Sequence, residues 1–372
     1  MCGIFGYLRK DGVDPLMTSL SVKYLGLFSE SRGRDASGIA TINFSKNYQP
    51  IHPRLQLDKT VVRNDFSIFK DTVPFEKFYD ESTMLPSIKK SECVIGHTRA
   101  ASQGHRGEIR NASPLLTESL ICSHNGDVDK QDIFNRYSIN RSSLIGETDT
   151  EVMYRAIESA GVMPEELLPV LSNIRGSLAL AWVDRRCPNQ VRIAVGCYSP
   201  LYLAFDKLGS IYWGSSDSWF FKIDNATNRY YDFNSITRVK SGTFLILSKQ
   251  NGKVFIGNRY SFNSTPRYNY TNHDRYVDFP IKHSSFSYKA QQEKERDNKI
   301  ETIPKKTVSK NPVPKRTVSK NSTPKKTVTN TTEGNKRHPD FDYYWERSIS
   351  EKRAANERAN KIASKILGLP TT

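Results

Sequence analysis

Short apolar runs of strand length recur through the first part of this 372-residue chain, at residues 2–8, 38–44, 94–98, 120–124, 177–183, 191–196, 201–205, 211–215 and 243–247. Most are bounded by Gly, Asn or Asp, the residues that end strands in turns. Helical spacing stands out at 16–28 and at 150–160, where Val152, Ala156 and Ile157 share a face. Strand runs with helices grouped between them, rather than strict alternation of the two, predict an α+β chain with antiparallel sheets and helices packed outside. The stretch 49–90 has little period and reads as an insertion or a flexible loop. A hydrophobic content of 37% is enough for a substantial core.

Charge divides the chain. Residues 289–372 hold 20 Lys+Arg against 10 Asp+Glu, so they carry +10 of the net +16, and the body before them is only mildly basic. Inside this tail a ten-residue unit repeats, each copy opening on a proline (Pro304, Pro314, Pro324) followed by two basic residues and Thr-Val. Such units bury almost nothing and the prolines block a helix, so 289–338 is expected to be a disordered basic linker. After it, Ser348 and Glu351 form a capping-box pattern, and Gly368 and Pro370 give stop signals, predicting a short helix within 339–372.

No apolar run is long enough for a membrane span and the start lacks a signal-peptide pattern, so the expectation is a cytoplasmic chain that does not engage a membrane. The five cysteines (Cys2, Cys93, Cys122, Cys187, Cys197) are widely spaced with no C-x-x-C pair, which argues against a disulfide framework or a metal site. Four of them read as small buried hydrophobes. His105 and His124 lack ligand spacing and read as structural.

The chemistry begins at Cys2, within Met1-Cys2-Gly3-Ile4-Phe5-Gly6. Once an initiator methionine is removed, Cys2 carries a thiol and a free α-amine on one residue. An α-amine with a pKa of about 7.7–8.0 can act as the base for a thiol near about 8.5. Four further segments follow. Arg32 to Gly38 is a polar turn feeding a strand. In Gly96-His97-Thr98-Arg99-Ala100-Ala101-Ser102-Gln103-Gly104 a strand runs into a loop, and an arginine at the strand end offers a fork to a carboxylate. Ser123-His124-Asn125-Gly126 closes an apolar strand; its amide and glycine N–H could face an oxyanion, or Asn-Gly could be a tight turn. Before the 150–160 helix, Asp149 pairs with an ammonium group or caps the helix.

In order and content these segments resemble the class II glutamine amidotransferases, an N-terminal-nucleophile family, and are most similar to the glutaminase domain of glucosamine-6-phosphate synthase. The resemblance runs from Cys2 to about Asn258. It implies a four-layer α-β-β-α sandwich of two antiparallel sheets and hydrolysis of the glutamine side-chain amide through a cysteine thioester, with no cofactor. In this resemblance Cys2 is the nucleophile, Asn125 and Gly126 form the oxyanion hole, and Arg32 positions the Cys2 terminus. Arg99 holds the substrate α-carboxylate and Asp149 its α-ammonium, with Thr98, Ser102 and Gln103 beside the substrate. Ala100 stands where the family has Trp, Gln103 where it has His, and Asp127 follows His124-Asn125-Gly126 where a small or apolar residue is usual.

The expected organisation is an amidotransferase domain over 2–258, a transition segment over 259–288, the basic linker over 289–338 and the terminal helix region over 339–372. Nothing after Asn258 resembles a synthase, so the ammonia acceptor is expected on a separate chain. The basic tail would meet that partner, a nucleic acid or another acidic surface. The competing expectations are a stand-alone amidohydrolase of another γ-glutamyl compound and an idle amidotransferase fold serving as a binding module.

Overall fold

The computed structural model describes residues 2–45 and 47–267. The basic linker and the terminal helix expected from the sequence lie outside the described residues. Within them the strands are β1 (Gly3–Leu8), β2 (Ala36–Ile42), β3 (Thr60–Val62), β4 (Phe66–Asp71), β5 (Cys93–Arg99), β6 (Leu115–Leu116), β7 (Leu120–Val128), β8 (Gly176–Asp184), β9 (Gln190–Val195), β10 (Tyr202–Phe205), β11 (Ile211–Gly214), β12 (Asn234–Arg238), β13 (Thr243–Gln250) and β14 (Lys253–Ser261). The helices are α1 (Pro15–Ser29), α2 (Phe75–Phe78), α3 (Glu81–Lys90), α4 (Lys130–Arg136), α5 (Asp149–Ala160), α6 (Pro164–Asn173) and α7 (Ser218–Ala226). No helix among these residues is long and apolar enough to cross a membrane.

The strands form two sheets, in the orders β12-β10-β11-β1-β5-β2-β4-β3 and β14-β13-β9-β8-β7-β6. Alternation along the strands builds three apolar layers. In β1, Ile4 and Leu8 face the second sheet, while Phe5 and Tyr7 face α1, α2 and α7. In β8, Ala179, Ala181 and Val183 point into the space between the sheets, and Leu178, Leu180 and Trp182 pack under α5 and α6. Each large side chain removed from water in this way contributes about 1.5–3 kcal/mol. The result is the four-layer α-β-β-α sandwich. Gly6 is required in the inner layer, because a Cβ there would lie 2.3 Å from the Trp213 ring and 2.1 Å from the Val94 carbonyl oxygen.

Helix ends are set locally. Asp14 caps α1 by accepting from Leu16 N, with Pro15 at the first helical position. Thr148 caps α5 through its hydroxyl, and Gly161 follows the last turn with φ +123°.

Three sequence expectations need correction. Residues 49–90 are not a loop: they contain β3, β4, α2 and α3, and β4 is laddered to β2 from Ser37↔Asp71 to Ile42↔Phe66. The lack of period there reflects short elements, each covered on a different side. The strand expected over 120–124 runs on to Val128, so Asn125-Gly126 is not a turn; the two residues pair with Ala179 and Leu178 of β8. Of the four cysteines expected to be buried, Cys93 and Cys122 are, whereas Cys187 and Cys197 are half-buried.

Candidate active site

Strand parity carries the site. The inner face of β5 runs Cys93, Ile95, His97, Arg99, and that of β7 runs Ile121, Ser123, Asn125, so both change from apolar to polar toward the same end of the sandwich. Cys2 continues the inner face of β1 beyond Ile4, and the register Gly3↔Thr98 sets it beside the end of β5. Across the gap between sheets, His97 Nε2 donates to the His124 carbonyl oxygen at 3.1 Å. A cleft opens here, lined among others by Cys2, Arg99, Ser102, Gly126 and Asp149.

The Cys2 thiol accepts from Ala100 N at 3.4 Å, and its own proton can reach Ala100 O at 3.5 Å. Burial pushes this thiol above its ordinary pKa, opposed by the Ala100 hydrogen bond and the nearby Arg99 charge. A thiol so placed stays protonated near neutrality and needs a base. Arg32 Nε donates to the Cys2 carbonyl at 2.8 Å. Ser215 fixes Ile4, two residues on, its Oγ accepting from Ile4 N at 3.0 Å.

Arg99 is buried, 4% exposed. Three of its N–H donors meet loop carbonyls: Gln103 O at 2.7 Å, Gly104 O at 3.1 Å and His105 O at 3.3 Å. A guanidinium has five N–H donors, so two remain for a ligand. Asp149 is 3% exposed and is fixed from two sides, by Val128 N at 2.8 Å and Thr150 N at 2.9 Å. The sequence left open whether Asp149 caps α5; the cap is Thr148, and Asp149 is the first helical residue. No ion pair joins Arg99 to Asp149 among the described residues. A buried cation and a buried anion therefore both line one cleft, an arrangement suited to a zwitterion.

Asn125 is fully buried, yet neither Oδ1 nor Nδ2 has a hydrogen-bond partner among the described residues. An unpaired buried amide is costly, about 1–3 kcal/mol, and such groups concentrate where a ligand completes them. Gly126 has φ +156°, and a Cβ there would sit 1.9 Å from the Ser177 carbonyl oxygen, so no other residue fits.

The remaining expected residues divide. Ser102 is exposed on the cleft wall. The Thr98 hydroxyl turns to the other face of β5 and donates to Ser29 O at 2.8 Å. The Gln103 side chain turns to β7, its Nε2 donating to Asp127 Oδ1 at 2.6 Å. Both histidines of the motifs are buried and neutral: burial drives His97 down to about 3, and lowers His124, whose Nδ1 meets Thr150 Oγ1 at 3.0 Å. Because a carbonyl only accepts, the His97 proton sits on Nε2, and Nδ1, without a partner among the described residues, keeps a free lone pair.

Sequence reasoning missed Lys70. It is 1% exposed and donates to Gln56 O at 2.8 Å and Ala112 O at 3.3 Å, tying β4 to the wall that ends in Ser113. The available signal was a lone lysine at an inward position of an apolar strand, following Phe66 and Ile68 at a spacing of two.

In sequence the chain is similar to glutamine amidotransferases of class II, and its fold is the one they have. The glutamine–fructose-6-phosphate aminotransferase of Chlamydia pneumoniae is 28% identical over 215 residues, 56% of this chain and 30% of that protein. The 7-cyano-7-deazaguanine synthase of Sulfolobus acidocaldarius is 25% identical over 238 residues, 61% of this chain and 46% of that one. A solved structure of the allosteric regulatory enzyme of purine biosynthesis has the same fold, with TM-score 0.50 and 22% identity over 71% of this chain and 50% of that one. The chain thus spans less than half the length of these curated relatives. No family profile matches it.

Proposed function

We propose that this protein hydrolyses the side-chain amide of glutamine through Cys2 as an N-terminal nucleophile. Cys2 Sγ attacks the amide carbon while the thiol proton passes to the α-amine of the same residue. Asn125 Nδ2 and the Gly126 N–H hold the resulting oxyanion. The proton then goes to the departing nitrogen, ammonia leaves, and a γ-glutamyl thioester remains. Water, deprotonated by the same amine, cleaves it to glutamate and the free thiol. Arg99 binds the α-carboxylate, Asp149 binds the α-ammonium, and Arg32 holds the backbone carbonyl of Cys2 so that its amine stays aligned.

The observation that carries this reading is the fully buried Asn125 amide, unpartnered among the described residues and flanked in the chain by His124 and Gly126, which line the cleft with Cys2, Arg99 and Asp149. The ammonia would pass to an acceptor on a separate synthase chain in the cytoplasm, with the basic tail as the contact. A second reading, hydrolysis of another γ-glutamyl compound, draws support from Ala100 and the exposed Ala101 and Ser102, which leave the cleft rim low. The test is ammonia and glutamate release by the purified full chain, given glutamine or other γ-glutamyl amides, with the N-terminal residue identified by mass. No turnover of any of them by a chain that starts at Cys2 would refute both readings.

A further inference from the structure

Two positions at which the sequence departs from the family it resembles, Gln103 and Asp127, meet in the structure. Besides its bond to Asp127 Oδ1, Gln103 Nε2 donates to Val128 O at 3.3 Å. The other oxygen of the carboxylate, Oδ2, accepts from Arg267 at 2.6 Å. The backbone of Asp127 is itself fixed, donating to Ser177 Oγ at 3.1 Å within the β7–β8 ladder.

Gln103 is therefore held twice. Its carbonyl is held by Arg99 and its side chain by Asp127. Among the other ties of the loop from Ala100 to His105 are Ala101 N to Asp35 Oδ2 at 2.8 Å and His105 N to Glu147 Oε2 at 3.0 Å. Both of those lie on backbone at the two ends of the loop. The Gln103 side chain, through Asp127 and the longer contact to Val128 O, ties the middle of the loop to the strand that carries Asn125 and Gly126.

We propose that Asp127 is a positioning residue for substrate binding: through Gln103 it holds the 100–105 loop against β7, and Arg267, just ahead of the basic tail in sequence, holds Asp127 in turn. The proposal rests on the glutaminase reading for its kinetic part only. A hydrogen bond to a charged group is stronger than one between neutral groups, and the partly exposed Arg267 pair adds less because water screens it. Freed from Asp127, the loop would move its three carbonyls away from Arg99 and let the guanidinium shift. Asn125 lies in the β7 ladder, and Cys2, next to β1, is held by Arg32 at its carbonyl, so both would stay and the effect falls on substrate binding rather than on the chemical step.

The test uses the full chain. Amide hydrogen exchange is followed over residues 100–107, and KM and kcat for glutamine are measured in parallel. Asp127→Ala and Gln103→Ala should each speed exchange in 100–107, leave 120–125 protected, and raise KM about tenfold with kcat nearly unchanged. Arg267→Ala should move both readouts in the same direction by a smaller factor. The double variant Gln103→Glu with Asp127→Asn reverses donor and acceptor; it should recover exchange protection and most of the KM, which a general loss of packing would not. Unchanged exchange in Asp127→Ala would overturn the latch. Faster exchange with an unchanged KM would overturn its role in substrate positioning. If the wild-type chain does not turn over glutamine, the glutaminase reading fails, and exchange alone then decides for or against the latch.

Discussion

The sulfur of Cys2 lies 3.4 Å from the backbone N–H of Ala100, the first residue past β5. Cys2 is thereby tied to the start of the loop that Arg99 also grips, through backbone atoms that any residue except proline would supply at position 100. This makes the thiol's setting independent of the large side chain expected there from the family resemblance.

Burial raises the Cys2 thiol, so its reactivity depends on a neighbouring base. kcat/KM for glutamine should rise with pH through the α-amine pKa, about 7.7–8.0 in an unperturbed terminus. Cys2→Ala should abolish ammonia release, and Cys2→Ser should lower it severely. Retention of Met1 or acetylation of the amine should have the same effect as loss of the thiol, which a mass measurement paired with the rate assay would detect.

Arg99→Lys keeps the charge and loses the fork, and it also gives up carbonyl contacts of the loop. Its KM for glutamine should rise by about 1–3 kcal/mol of lost binding, while Asp149→Asn should weaken binding of the same substrate through the ammonium. Competition by glutamate analogues that lack the α-amine or the α-carboxylate separates the two. Asp149→Asn should no longer discriminate against the analogue without the amine.

Lys70 is lowered by burial to about 7. Its folded pKa lies below the unfolded value, so between pH 7 and about 10.4 the unfolded chain binds the extra proton and stability rises with pH by up to about 1.4 kcal/mol per unit from this group. Below pH 7 that slope disappears. Chemical denaturation from pH 7 to 9.5 should show a flatter dependence for Lys70→Met than for the wild type; equal slopes would mean that Lys70 stays charged in the folded protein.

Truncation after residue 285 removes the +10 segment and should leave glutaminase kinetics within about twofold, since the cleft-lining residues among those described precede it. Binding to an acidic partner should be lost. Pull-downs at two salt concentrations distinguish nucleic acid, with a steep salt slope, from a protein that docks the 348–367 segment. Identical bound material from full-length and truncated chains would reject a tethering role.

Much of the site was legible because its residues come in short runs where a strand meets a loop. Cys2, Arg99 and Asn125 lie on the inner parity of their strands, and period-two alternation from Ile4, Ile95 and Ile121 predicts the side each faces. The orientation of Gln103 was not legible. Its partner Asp127 lies 24 residues away, across a sheet-to-loop contact that local pattern does not encode. Thr98 was misleading for a related reason: its place in the motif suggests the cleft, but its parity is opposite to that of Arg99.

Local pattern in the chain sets the strand alternation, the cysteine just ahead of the first strand, the order of the polar segments and the break in charge before the tail. Those follow from neighbours a few residues apart, where periodicity and turn chemistry act. Only the tertiary structure decided that residues 49–90 extend the first sheet, that Asn125-Gly126 stays in the ladder, and that Lys70 is buried behind the cleft wall. Each of these depends on pairing between segments distant in sequence, and such pairing is stabilised by burial that exists only once both sheets are in place.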